Sequence, residues 1–167
     1  MAESIAQALV SFFGDTIPAE LTIFLISLLP ILELRGGMIA AALLGVNFTK
    51  AFFICLVGNL LPLPFILWLI RPFFNWLKGT KHLKKVADWL ERKTEKNKEK
   101  VLKYEVFGLL LFVAIPLPGT GGWTGALVAA MLDMPMKKSL PTIVAGVLIA
   151  GFIMSAITYG LPALLGF

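Results

Sequence analysis

From Ala51 to Ile70 the chain runs through twenty residues without a charge, and from Leu140 to Gly160 it repeats the feat. A helix needs about 20 consecutive apolar residues to cross a bilayer, so both stretches read as transmembrane helices, the first kinked near Leu61-Pro62-Leu63-Pro64. With 58% of its residues hydrophobic and only 15% charged, the chain is too apolar for an ordinary soluble domain. The fold class expected is an all-α integral membrane protein.

The formal charge of +5 suggests nucleic acid only until it is located. Between Lys78 and Glu105 lie ten basic residues and five acidic ones, leaving five of each sign in the rest of the chain. The excess therefore belongs to one central loop flanked by apolar sequence, an orientation signal for a membrane protein and no reason to expect nucleic acid. At 167 residues the chain suits one compact membrane unit, residues 1–167, with a homo-oligomer as an open route to completing it. Cys55 is the single cysteine, so no intramolecular disulfide or cysteine metal cluster is expected. The N-terminus lacks the basic region of a cleavable signal peptide, and its first residues are expected to be retained.

Residues 1–15 place Ile5, Leu9, Phe12 and Phe13 at helical spacing, the pattern of a short N-terminal interfacial helix. Repeat 1 then occupies about residues 19–70. Its apolar sequence from Leu21 to Leu32 is interrupted at Glu33-Leu34-Arg35-Gly36-Gly37 and resumes from Met38 to Val46 before the long span. A basic cytoplasmic loop follows over about 71–105. Phe73, Phe74 and Trp76 suit the membrane interface, and Thr80 to Glu105 reads as an amphipathic helix with an apolar stripe at Leu83, Val86 and Leu90. Lys84, Asp88 and Arg92 are spaced for ion pairs along it, and His82 carries no assigned role.

Repeat 2, about 106–163, has the plan of repeat 1. Val106 to Leu117 is apolar, Pro118-Gly119-Thr120-Gly121-Gly122 breaks it, and Trp123 to Leu132 resumes ahead of the second span. Sliding the chain by 88 positions pairs Pro30 with Pro118, Gly37 with Gly125, Lys50 with Lys138 and Gly58 with Gly146, among other identities. A duplication is expected.

Each broken segment can be a kinked spanning helix or a hairpin that enters the membrane and returns. The positive-inside rule separates the two. Re-entrant hairpins place Arg71, the ten loop cations, Lys137 and Lys138 on one side and Lys50 alone on the other; spanning segments give eleven against three. The expectation is an inverted repeat, each half a re-entrant helical hairpin plus a transmembrane helix, with the central loop in the cytoplasm. Paired interruptions in two halves also mark where transporters build sites from discontinuous helices.

Glu33 and Arg35 are the charges that fall inside apolar sequence. Such a residue costs about 2.5–3.5 kcal/mol at a helix centre. A structural ion pair is the plainer reading; the functional one makes Glu33 a proton-exchanging carboxylate and Arg35 an anion contact, beside Gly36 and Gly37. In the second break Pro118, Gly119, Thr120, Gly121, Gly122, Trp123 and Thr124 combine close backbone approach, hydroxyls and a helix N-terminus, as an anion cradle would, or as a turn packed with small residues would. The lysine and spacing of a P-loop are missing. Asn59, inside the first span, suits an interhelical hydrogen bond. No Ser/His/Asp set, carboxylate pair or His cluster points to an enzyme, and neither a metal nor a cofactor is expected.

Leu29-Pro30-Ile31-Leu32-Glu33-Leu34-Arg35-Gly36-Gly37 and Ile115-Pro116-Leu117-Pro118-Gly119-Thr120-Gly121-Gly122-Trp123-Thr124-Gly125-Ala126 resemble the two signature segments of the small multidrug export protein family. That family is distantly similar to the DedA superfamily, whose members include undecaprenyl-phosphate translocases and lipid scramblases. The resemblance implies two opposed re-entrant hairpins. DedA proteins place acids on one hairpin and arginines on the other, whereas Glu33 and Arg35 share the first hairpin here.

The leading expectation is a proton-coupled transporter or flippase in the plasma membrane of a prokaryote. Its substrate would be an anionic amphiphile such as a polyprenyl or other lipid phosphate, and its partners membrane lipids and protons. Export of small cationic drugs, with Glu33 as the attracting charge, is the alternative. A non-transporting scaffold that recruits a partner through its basic loop is the third.

Overall fold

The computed structural model describes residues 2–13, 17–78, 98–117 and 119–160. Among these, regular structure is helical throughout: α1 (Ala2–Phe13), α2 (Ala19–Leu28), α3 (Glu33–Leu43), α4 (Phe48–Leu60), α5 (Leu63–Lys78), α6 (Lys98–Ala114), α7 (Gly122–Met131) and α8 (Met136–Ser155), closed by a π-helical turn over Ala156–Gly160. Two stretches are long and apolar enough to cross a membrane, Phe48–Ile70 and Met136–Gly160. Both begin a few residues before the uncharged runs. The first breaks at Leu61-Pro62 between α4 and α5, where proline cannot continue the helical hydrogen-bond ladder. The stripe at Leu83, Val86 and Leu90, together with His82, Lys84, Asp88 and Arg92, lies outside the described residues. α6 runs unbroken through Glu105 and Val106, so no helix boundary marks the start of the second half.

The first interruption lies earlier than the charges and glycines suggest. α2 ends at Leu28, the chain turns over Leu29-Pro30-Ile31-Leu32, and α3 begins at Glu33. Glu33 to Gly37 is thus the first turn of a helix and not a gap between helices. Pro30 sets the break, because its ring and missing N–H forbid continuation of α2. Gly36 and Gly37 serve packing instead of flexibility: a Cβ on Gly36 would lie 2.6 Å from Leu32 Cβ, and one on Gly37 would meet Ser27 of α2 and, at 2.8 Å, Cys55 of α4.

α3 therefore sits between α2 and α4. Glu20 pairs with Lys50 at 3.8 Å near the start of both helices, and Gly58 lies against Phe24 and Ser27 further along. α2 and α4 accordingly run side by side in the same direction, and α3 returns between them. α6, α7 and α8 follow the same order in the second half, with Gly146 of α8 against Leu110 and Val113 of α6. Close approach of backbones at small residues is how apolar helices associate where lipid tails match any side chain in hydrophobicity.

Several backbone features lie 88 residues apart. That offset carries Phe48, the first residue of α4, onto Met136, the first of α8. After α3, Val46 N–H donates to Ala41 O at 2.9 Å and Gly45 N–H to Ala42 O at 3.2 Å; after α7, Met134 N–H donates to Ala129 O at 2.9 Å and Asp133 N–H to Ala130 O at 3.1 Å. Gly45 (φ 67°) and Asp133 (φ 52°) both take the left-handed conformation that commonly ends helices. Two of the paired glycines occupy like positions too: a Cβ on Gly37 would approach Cys55, and one on Gly125 would approach Ile143, again 88 residues apart.

The core is made of small and aliphatic side chains, including Ala40, Ala41, Ala51, Ala126 and Ala129, all fully buried. Phe53, Phe65, Trp68 and Phe152 point outward and are each at least 60% exposed, a large apolar exterior that a water-facing domain would not carry.

Packing at the helix glycines predicts different responses to the same substitution. Gly146→Ala would set its Cβ 2.7 Å from Val113 Cβ, whereas Gly108 of α6 has nothing within 4 Å. Thermal melting in detergent should fall for Gly146→Ala and stay or rise for Gly108→Ala, where helix propensity favours alanine by about 1 kcal/mol.

Candidate functional site

The two interruptions meet. Glu33 opens α3 with a left-handed backbone (φ 52°), a strained conformation for a residue with a Cβ, worth about 1–3 kcal/mol and typical of functional positions. Its carboxylate crosses to the other half and accepts hydrogen bonds from the backbone N–H groups of Gly122 and Trp123, each at 3.1 Å. These are the first amides of α7. They have no partner within their own helix, and the helix dipole adds partial positive charge where they point. A carboxylate that is only 4% exposed is thereby held by two charge-assisted bonds.

Arg35, two residues further along α3, reaches the same loop. Its Nη1 donates to the Leu117 carbonyl and its Nη2 to Thr120 Oγ1 at 2.9 Å. Thr120 Oγ1 also accepts from Leu117 N–H at 3.2 Å and lies 2.8 Å from the carbonyls of both Ile115 and Leu117. One hydroxyl thus braces the loop for the guanidinium. Both charges take partners from the opposite half, which is how charges are tolerated in apolar surroundings.

Gly121 is required by the same contact. Its φ of 130° is open to glycine, and a Cβ there would overlap the Glu33 carboxylate. At the offset of 88, Gly121 is the counterpart of Glu33, so one half supplies the carboxylate where the other supplies the space for it.

The remaining predicted residues divide. The Thr124 hydroxyl donates back to the Gly121 carbonyl at 3.4 Å, and Gly119 forms an exposed left-handed turn (φ 84°). Gly36 and Gly37 face helix packing and not the contact. Pro118 lies outside the described residues. Trp123 contributes its backbone amide, while its indole N–H is buried without a hydrogen-bond partner.

A small cavity borders the contact. It measures about 10 Å3 as room for the centre of a water-sized sphere, which is space for about one water. Three of its lining pairs are related by 88 residues: Glu33 with Gly121, Leu34 with Gly122, and Asn59 with Val147. Asn59 was read from sequence as an interhelical hydrogen-bonding residue; it is 2% exposed, yet its Oδ1 has no partner. A polar residue in an apolar span just before Pro62 was the available signal. Among the described residues, no group of His, Cys, Asp or Glu is placed to hold a metal ion.

The sequence model described as "Putative small multi-drug export protein" matches residues 33–153, a stretch that opens on Glu33 and takes in the whole contact. The chain belongs to this family. As a small multi-drug export family protein with two apolar spans, it is a membrane protein with an export or transport role. No curated protein and no solved structure matches the chain.

For this family member, the contact predicts that Gly121→Ala and Glu33→Ala both destabilise the fold. Glu33→Ala leaves two buried amides unpaired, at about 1–3 kcal/mol for each. Unfolding of both variants in lipid-like detergent should begin at clearly lower temperature than that of the native chain. Thr124→Val, which removes one long hydroxyl bond to the Gly121 carbonyl and keeps both amides on Glu33, should melt close to native.

Proposed function

We propose that this protein moves an anionic amphiphile, such as a polyprenyl or other lipid phosphate, across the membrane and exchanges a proton at Glu33 as it does so. The observation that carries the reading is that the amides of Gly122 and Trp123 already hold an oxyanion, the carboxylate of Glu33 itself. A phosphate oxygen makes the same demand on those donors. While Glu33 is ionised it fills the cradle. Once protonated it is a poor partner for two N–H donors, and a head group can take its place, steadied by Arg35, which is half-buried and so reachable. The substrate tail stays in lipid throughout, so the protein needs only a small polar passage.

In this reading the two halves are an inverted repeat. α2 with α3, and α6 with α7, are re-entrant hairpins whose turns meet near the middle of the bilayer, as in transporters that build their sites from discontinuous helices. The likeness to DedA proteins belongs to the same proposal. Lys50 then faces the side opposite Lys137, and the basic central loop faces the cytoplasm. Single cysteines introduced as Lys50→Cys and Lys137→Cys on a Cys55→Ala background should label from opposite sides of sealed vesicles. Labelling from one side would overturn the hairpin topology.

The family's multi-drug description favours a second reading, in which Glu33 attracts a cationic drug. Head-group translocation in proteoliposomes separates the two. Under the lipid-phosphate reading Arg35→Ala and Glu33→Gln each abolish flux while the protein stays folded. Binding of a cationic amphiphile that is lost in Glu33→Gln but kept in Arg35→Ala would instead favour drug export, and unchanged lipid flux in both variants would sink the proposed mechanism.

A further inference from the structure

Asn59 Oδ1 is an acceptor without a donor, in a side chain 98% removed from solvent, and it lines the cavity that Glu33 lines from the other side. Buried polar atoms are almost always satisfied, by protein or by ordered water. The cavity has room for about one water. The carboxylate oxygens of Glu33 each take one amide hydrogen bond, which leaves each with lone-pair capacity to spare.

The other charged group at the cavity is Arg35, whose Nη atoms are engaged by Leu117 and Thr120. The surfaces contributed by α6 and α8, from Val113, Val147 and Ala150, bring no titratable group. A cation bound here would face the amide ends of α7 and the guanidinium, both electropositive. A neutral hydrogen-bonding guest suits the site better.

We infer that the cavity is a site for a single water that bridges Asn59 Oδ1 and the Glu33 carboxyl, and that Asn59 is the positioning residue for the proton carried by Glu33. With Glu33 ionised, the water donates one hydrogen to Asn59 Oδ1 and the other to a Glu33 oxygen. When a proton arrives on the water it passes to that oxygen. The new carboxylic O–H then donates back to the water, which keeps its bond to Asn59. One O–H bond breaks on the hydronium and one forms on Glu33, and nothing else changes hands. Asn59 thus holds in place the water that accepts from the neutral carboxyl at the moment its amide partners become free for a head group. The inference rests on the reading of Glu33 as the proton-exchanging residue.

Infrared difference spectroscopy of the full-length protein in lipid nanodiscs, taken between high and low pH, tests it. A carboxylic C=O band that vanishes in Glu33→Gln reports Glu33. The inference expects that band to move to higher frequency in Asn59→Leu, which removes the acceptor while keeping the volume. On the native chain it also expects a water O–H band that shifts when H2(18)O replaces ordinary water, so the test does not depend on the variant folding. A Glu33 band that titrates but is unmoved by Asn59→Leu, or a native spectrum with no isotope-sensitive water band, overturns the water site and leaves the transport reading standing. No Glu33 band at any pH overturns proton exchange, and this inference with it.

Discussion

Two hydrogen bonds from the N-terminus of α7 to the carboxylate of Glu33 hold the two halves of this molecule in register. Each half alone has an unsolved problem in an apolar medium. The first has a buried carboxylate, costly without partners. The second has the open amides of a helix that starts at a break, equally costly in lipid. Docked together, each satisfies the other, and Arg35 repeats the exchange by turning a cation toward the carbonyl of Leu117 and the hydroxyl of Thr120. The positive φ of Glu33 and the absent side chain at Gly121 are local concessions to that docking.

The contact is also where the likeness of the halves ends. An offset of 88 residues relates the turns after α3 and α7, hydrogen bond by hydrogen bond, and pairs glycines that sit against equivalent helices. At the tips, however, it pairs Glu33 with Gly121 and Arg35 with Trp123. The chemistry is one-sided: the first half supplies both charges, and the second answers them with the amides of Gly122 and Trp123, the Leu117 carbonyl and the Thr120 hydroxyl.

Much of this was legible in the sequence, for physical reasons. Spans of about 20 apolar residues leave little freedom of interpretation, and Pro62 marks its own kink. Glu33 and Arg35 stood out because charge is rare in lipid. The position of the first break was misplaced because Gly36 and Gly37 look like helix breakers. In fact their lack of a side chain lets α3 pack between Leu32, Ser27 and Cys55, a role that only three-dimensional neighbours disclose. The meeting of Glu33 with the amides of Gly122 and Trp123 was hidden for a different reason. Every residue except proline carries an N–H, so a backbone donor leaves almost no trace in the residue types. Asn59 was visible as a polar residue in a span, but its lack of a hydrogen-bond partner is a property of its surroundings.

The most direct test of the account is the distance between the two tips, measured by pulsed electron resonance between spin labels at positions 31 and 115 in a lipid membrane. Ile31 and Ile115 are exposed and neither takes a left-handed backbone, so labels there leave the contact intact. The account predicts a single narrow distance distribution for the native sequence at neutral pH and a broader, longer one when Glu33→Gln is added. Identical distributions in the two proteins would contradict the claim that the carboxylate of Glu33 holds the halves together.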